Sequence, residues 1–203
     1  MSSRARLDPE RLLARAGAGD GQALGRLLER YRNYLALLAR VQIGRRLQGK
    51  VDAADLVQET FLEAHRHFGS FRGTTEQEVV GWLRQILAAN VSNLLRRYYG
   101  TQRRDVRLEQ ELADEMDQSS RAMALVAPHS SPSQRAARRE QAVLLADALE
   151  RLPEAHREVI ILSHLEGLPF PEVARRMGRT LASVKHLWAR ALGQLRRSLG
   201  ESP

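Results

Sequence analysis

Apolar residues recur along this chain at spacings of three and four, the signature of helices that each bury one face. Asp20 is placed to cap a first helix whose apolar face is Leu24, Leu27, Leu28, Tyr31, Leu35 and Leu38; residues 1–19 read as an N-terminal segment. Gly44 and Gly49 bracket a short basic connection, Arg45-Arg46-Leu47-Gln48. The next helix start is marked by Asp52 at the cap with Asp55 three residues on, and Val51 and Leu56 stand where a hydrophobic staple needs them. Its predicted buried stripe is Val57, Phe61, Ala64 and Phe68. Gly69 and Gly73 then bound a loop holding Ser70, Phe71 and Arg72. Thr75 and Glu78 have capping-box spacing and open a long helix with Val79, Leu83, Ile86, Asn90 and Leu94 on one side, running out near Gly100. Residues 20–100 therefore read as one compact helical domain.

Periodicity fades over residues 101–135. An acidic stretch there precedes Ala127-Pro128-His129-Ser130-Ser131-Pro132-Ser133, which has the composition of a flexible linker. The pattern admits a short helix within 106–118 but no stable domain. From 136 to 200 the helical spacing returns. Val143, Leu144, Ala148, Leu149 and Leu152 form one stripe, stopped by Pro153; Val159, Ile160, Leu162 and Leu165 form the next, stopped by Gly167-Leu168-Pro169. Two short helices follow, over 171–177 and 181–197, separated by Gly178-Arg179-Thr180.

Composition agrees with helix throughout. The 203 residues are 43% hydrophobic but only 5% aromatic, and Leu, Ala, Arg and Glu favour helix over sheet. The fold class expected is all-α, with two small helical domains joined by a flexible linker. With no cysteine, disulfides and thiolate metal sites are excluded, which fits a reducing, cytoplasmic setting. The first twenty residues carry Arg4, Arg6, Arg11 and Arg15 without a long apolar run, so neither a secretory signal nor a membrane span is expected.

Charge sharpens the picture. The chain carries a formal +8, unevenly spread. Residues 170–200 hold seven basic residues against Glu172 alone, whereas 108–120 hold Glu109, Glu111, Asp114, Glu115 and Asp117 with no base. A basic face of that density suits a polyanion. The segment Pro171–Arg197 reads as a helix-turn-helix. Pro171 fits the first helical turn, Val173, Ala174 and Met177 point inward, and Gly178 permits the tight turn. Thr180 caps the second helix, and Val184, Leu187, Trp188, Ala191 and Leu195 face the core. That leaves Ser183, Lys185, His186 and Arg190 outward, as a recognition helix requires. An ordinary helical hairpin with a solvated basic face has the same pattern.

No enzyme is legible. His65 and His67 stand two apart and cannot share a helix face. His156, His164 and His186 have no acid, base or metal-ligand arrangement around them, and no phosphate-cradling glycine-rich loop occurs. Neither cofactor nor metal is expected.

Two stretches carry a family resemblance. Leu152-Pro153-Glu154, Val159-Ile160-Ile161-Leu162, Glu166-Gly167-Leu168, Glu172-Val173-Ala174, Ser183-Val184-Lys185 and Arg190-Ala191 together resemble region four of the sigma-70 family. The run Asp52 to Phe61 resembles region two, followed by Phe71-Arg72-Gly73 and Trp82-Leu83-Arg84-Gln85-Ile86-Leu87. Nothing resembles regions one or three. The layout is similar to the extracytoplasmic-function (ECF) group of bacterial RNA polymerase sigma factors, over about residues 20–100 and 136–200.

The resemblance implies a factor that brings core RNA polymerase to promoter DNA. It assigns docking on the clamp helices of the largest subunit to Asp52, Asp55, Gln58 and Glu59, with Asp52 mainly a cap. It assigns opening and capture of the −10 element to Phe71, Arg72, Trp82, Arg84, Gln85, Asn93, Arg96 and Arg97, although Phe71 and Trp82 equally suit a core. It assigns reading of the −35 element to Arg179, Thr180, Ser183, Lys185, His186 and Arg190. An anti-sigma partner is implied as for other members. Two residues depart from the family pattern: Asn93, near a position often held by Asp, and Leu187, near one often held by Arg. Promoter preference is therefore not carried over. A free-standing helix-turn-helix regulator and a protein-binding adaptor are the rival readings. The acidic linker also raises the expectation of a built-in restraint on the basic domains, relieved by neutralising its five acids.

Overall fold

The computed structural model describes residues 8–47, 51–99, 110–114 and 132–200, and every regular element among them is helical. No described helix is long and apolar enough to cross a membrane. The chain divides into two compact units, one built from Met1–Ala39 and Asp52–Met116, the other from Arg40–Val51 and Asp117–Pro203.

The first unit begins earlier than the hydrophobic pattern suggests. Helix α1 spans Pro9–Gly17, within the N-terminal segment. Asp8 caps it by accepting the Glu10 N–H at 3.2 Å, Pro9 occupies the first turn, and Leu12, Leu13 and Ala16 are buried. Gly19, at φ +94°, turns the chain into α2 (Gly21–Arg30), where Asp20 accepts the Ala23 N–H at 3.0 Å. The predicted single helix through Leu38 is two. Tyr31 leaves helical geometry at φ −99°, ψ 3°, and α3 starts at Arg32 and runs to Leu47. The break has a partner: the fully buried Tyr31 hydroxyl donates to Glu76 Oε1 at 2.7 Å. Burial, with the Glu76 carboxylate beside it, pushes the Tyr31 phenol far above its ordinary value, so it stays a donor. Residues 45–47, expected in a connection between Gly44 and Gly49, are the end of α3; 48–50 lie outside the described residues.

Helix α4 (Ala53–His67) is capped by Asp52, whose Oδ1 accepts the Ala54 N–H at 2.9 Å. It buries Leu56, Val57, Phe61 and Ala64 against α5 (Glu76–Tyr99). The core face of α5 is Val79, Val80, Leu83, Leu87, Val91 and Leu95, while the predicted Ile86 and Leu94 are half-buried. Two buried polar side chains join these helices: Asn90 Nδ2 donates to Thr60 Oγ1 at 3.3 Å, and Thr60 donates to the Leu56 carbonyl at 2.7 Å. Residues 110–114 are helical and bury Leu112, with Glu111 and Asp114 exposed; Glu109, Glu115, Asp117 and 115–131 lie outside the described residues.

In the second unit, α6 (Pro132–Glu150) reaches back into the stretch expected as linker. Ala142, Val143, Ala146 and Leu149 are buried, and Leu144 is only half-buried. Helix α7 (Glu154–Ile160) continues as a π-turn over Ile161–Leu165, where the Glu166 N–H reaches back five residues to the Ile161 carbonyl. That wider turn adds a residue and takes Leu165 off the buried stripe, leaving it half-buried. Helices α8 (Phe170–Arg176) and α9 (Leu181–Leu199) complete the unit, with Val173, Ala174, Val184, Ala191 and Leu195 buried. Met177, Leu187 and Trp188, predicted inward, are half-buried.

Candidate functional site

Three surfaces hold the residues singled out from sequence. The first is the outer face of α4. Asp55, Gln58 and Glu59 are exposed opposite Val57, Phe61 and Ala64, and Asp52 is exposed while capping. Asp55, Gln58 and Glu59 form no hydrogen bond or ion pair among the described residues. Their polar groups are presented to solvent, and Asp55 adds negative charge to the helix's first turn.

The second surface is the connection from α4 to α5 and one side of α5. Phe68, at the end of α4, opens a 3₁₀ turn (Phe68–Ser70). Its ring lies 5.9 Å from Phe71 and 6.2 Å from Trp82, and Phe71 lies 4.8 Å from Trp82. Phe71 and Trp82 are half-buried in this stack, so the core and contact readings meet in the same rings. Gly73 lets the Phe71 ring fold over the backbone: a Cβ there would stand 2.3 Å from Phe71 Cζ. Beyond it, Glu78 Oε2 accepts the Thr74 N–H at 2.9 Å, the Thr75 N–H at 3.0 Å and the Thr75 hydroxyl at 2.8 Å. The Glu78 N–H donates to Thr75 Oγ1 at 3.3 Å. Those bonds, that from Thr74 foremost, hold the Glu78 carboxyl below its usual range. Arg72 is exposed and donates to the Gly69 carbonyl at 2.9 Å.

Beside this loop lies a cavity of about 390 Å³ between Phe68–Gly73 and the turn from α1 to α2, lined by Leu13, Ala16, Asp20, His65, Phe71 and Arg72 among others. Along α5, Trp82, Gln85, Asn93 and Arg96 fall on one side, and Arg96 donates to Asn93 Oδ1. Arg84 stands about 160° around the helix from Trp82 and does not share that side. Arg97 is exposed at its margin.

The third surface is the helix-turn-helix. Gly178, at φ +60°, makes the turn from α8. Thr180 Oγ1 accepts the Ser183 N–H at 3.2 Å and starts α9. Arg179, Thr180, Lys185, His186 and Arg190 are exposed; Ser183 is half-buried at the edge. Not all the basic charge is available. Arg176 pairs at 2.9 Å with the nearly buried Glu166, and Arg175 pairs at 2.5 Å with Glu172. Arg179, Lys185 and Arg190 form no ion pair among the described residues, although Arg179 lies near enough to Glu158 to oppose a raised carboxyl pKa there. That rise comes first from burial and then from Glu154.

Sequence reasoning missed the aromatic brace behind α9. Trp188 stacks on His164 at 5.7 Å, meets Phe170 edge-on at 5.6 Å, and donates its indole N–H to His164 Nδ1 at 3.3 Å. His156 Nδ1 lies 2.7 Å from Gln194 Oε1, a second tie from α7 to α9. Both histidines have partners on an element too far along the chain for local pattern to show. Among the described residues no group of His, Asp and Glu could hold a metal ion.

Comparison with known proteins agrees with this layout. The family described as Sigma-70 region 2 matches residues 27–101, and Sigma-70, region 4 matches residues 142–195. The ECF RNA polymerase sigma factor SigM of Mycobacterium tuberculosis H37Rv is 31% identical over 189 residues, 93% of this chain and 83% of that one. The ECF RNA polymerase sigma factor BldN of Streptomyces coelicolor is 31% identical over 93% of this chain, which spans 64% of BldN. Among solved structures, CnrH in complex with the cytosolic domain of CnrY aligns at 27% identity and a TM-score of 0.37, covering 97% of this chain and 100% of that one. By its two matched regions and the identity with these relatives, the chain belongs to the ECF group of the sigma-70 family of RNA polymerase sigma factors.

Proposed function

We propose that the first unit docks on core RNA polymerase through Asp55, Gln58 and Glu59 on the outer face of α4. The same unit opens the −10 element with Phe71, Arg72 and the α5 side carrying Trp82, Gln85, Asn93 and Arg96. The second unit grips the −35 element as duplex, with Arg179, Lys185 and Arg190 on phosphates and His186 and Ser183 toward base edges. The chain performs no chemistry of its own; it works in the cytoplasm, where polymerase is, and an anti-sigma partner holds it in reserve.

The observation that carries this reading is the loop after α4. An aromatic stack, an exposed arginine and a cavity of about 390 Å³ converge there on a backbone pinned by Glu78. Single-strand capture needs a stacking surface, a cation for the backbone and a place for an unstacked base, at ~1–3 kcal/mol per stacked base. Arg84 lies on another side of α5 and is not part of this surface.

The test is transcription from a pool of genomic fragments with and without sigma-free core polymerase. New start sites requiring both proteins are the expected result. At those starts, Phe71→Ala lowers permanganate reactivity of −10 thymines by tenfold or more, while Arg190→Ala weakens promoter binding before opening. Binding of a specific duplex by the protein alone, with no initiation on core, would sink the proposal.

A further inference from the structure

Helix α2 serves the loop after α4 at two points. Leu24 lines the cavity beside Phe71, and Tyr31, seven positions on and so on the same face, reaches the first residue of α5. The Tyr31 hydroxyl donates to Glu76 Oε1 at 2.7 Å. Arg30 Nε stands 3.8 Å from the same oxygen, a charge contact rather than a hydrogen bond. Tyr31 is fully buried and Glu76 half-buried. The loop's own bonds are short-range. Those from Ser70 to the His67 carbonyl, from Arg72 to the Gly69 carbonyl, and from Thr74 and Thr75 to Glu78 reach at most four positions along the chain. They shape the loop; the Tyr31 bond, spanning 45 positions, fastens its α5 end to α2.

Packing does not require that hydroxyl. Phenylalanine would fill the same buried space, and a buried polar pair contributes little net stability. What the oxygen supplies is direction: a bond to one carboxylate oxygen fixes where α5 begins relative to α2. That origin matters to the ring in the loop. Gly73, three residues before Glu76, lies under Phe71 with no room for a Cβ, so a displaced α5 start displaces the ring. The cavity changes with it, since Leu24 stands on one wall and Phe71 on another. We infer that Tyr31 and Glu76 are positioning residues for strand opening: their hydrogen bond sets the start of α5, and through it the Phe71 ring and the cavity that receives an unstacked base. The inference rests on the −10 reading above and adds what holds that loop ready. A loop set in advance loses none of the capture energy to its own ordering.

The experiment uses full-length protein with core polymerase on a promoter found by the transcription assay, at a temperature where every variant is folded. Closed-complex affinity and opening rate are measured separately. Tyr31→Phe and Glu76→Ala are expected to slow the appearance of permanganate-reactive −10 thymines about tenfold, the equivalent of one hydrogen bond. Closed-complex affinity and binding to core polymerase stay unchanged. Glu76→Gln still offers the Tyr31 hydroxyl an acceptor and restores opening close to the parent rate. Thr60→Val, in the same unit and away from the loop, is the stability control: it lowers the melting temperature and leaves the opening rate alone. If Thr60→Val slows opening as much as Tyr31→Phe, the loss follows stability and the positioning role is wrong. Parent-like opening by Tyr31→Phe and Glu76→Ala, with Phe71→Ala still defective, overturns the inference and leaves the −10 reading standing. Parent-like opening by Phe71→Ala as well takes down both. Glu76→Gln as slow as Glu76→Ala would assign the effect to the charge facing Arg30 and overturn the role of Tyr31.

Discussion

Gly73 has no room for a side chain. A Cβ would stand 2.3 Å from Phe71 Cζ and 2.7 Å from Glu78 Cβ, so even alanine displaces either the aromatic stack or the start of α5. Gly73→Ala should cost about 1–3 kcal/mol in urea denaturation, the usual range for overpacking. It should also abolish −10 opening while binding to core polymerase, proposed to run through α4, persists. The capping carboxylate beside it gives a pH signature. Hydrogen bonds from Thr74 and Thr75 lower the folded pKa of Glu78 from the ordinary 4.5. A group whose folded pKa is depressed contributes stability that is present above its unfolded value and lost as pH falls through the folded one. The parent and Glu78→Gln should therefore differ most near neutrality and converge on acidification below about 4.5. Parallel melting curves for the two proteins at every pH would show the cap to be thermodynamically idle.

At the scale of elements, the α4–α5 contact contains an asymmetric polar pair. Thr60 both donates to the Leu56 carbonyl and accepts from Asn90, whereas the buried Asn90 Oδ1 has no partner among the described residues. Thr60→Val strands the Asn90 amide and should cost ~1–3 kcal/mol. Asn90→Leu removes an unsatisfied acceptor and should cost less, and the double variant should resemble Asn90→Leu alone. Additive costs would refute the coupling. Why some elements were legible follows from the range of their causes. Asp20, Asp52, the Thr75–Glu78 box and Thr180 act within a few residues, and each accepts an N–H in its own first turn. Helix α1 carries an equally local signal in Asp8-Pro9, but its short apolar face, Leu12, Leu13 and Ala16, is too brief for periodicity to stand out. Tyr31, at the break, bonds to Glu76 far along the chain, the π-turn shifts the phase at Leu165, and the Phe68–Phe71–Trp82 stack assembles residues from three elements. Among the site residues, exposure opposite an apolar stripe could be read for Asp55, Gln58 and Glu59. The divergence of Arg84 from Trp82 could have been read from helical spacing, but the cavity beside Phe71 could not.

For the whole molecule, the decisive quantity is how charge is divided among surfaces that act on one polymerase. The basic surplus of 170–200 is smaller in effect than its count, since Arg175 and Arg176 are held by Glu172 and Glu166. Five basic residues are left: Arg196 and Arg197 fall in the last turn of α9, and Arg179, Lys185 and Arg190 are those proposed for phosphates. Three contacts give a logarithmic salt slope of about −2.7 for duplex binding by the isolated protein, and removing one shifts it by about 0.9. Lys185→Ala and Arg190→Ala should each flatten the slope by that step, while Arg175→Ala leaves it nearly unchanged. So shallow a footing cannot hold a promoter alone. On polymerase the second unit rebinds at high effective concentration, and linkage of this kind strengthens joint binding by 10²–10⁴ without new contacts. Arg190→Ala should therefore reduce promoter occupancy by the polymerase complex in proportion to its loss in the free protein, with the acceleration of occupancy by core polymerase preserved. If the salt slope instead responds to Arg175→Ala as strongly as to Arg190→Ala, the Glu172 pair opens on DNA and the phosphate track extends back along α8.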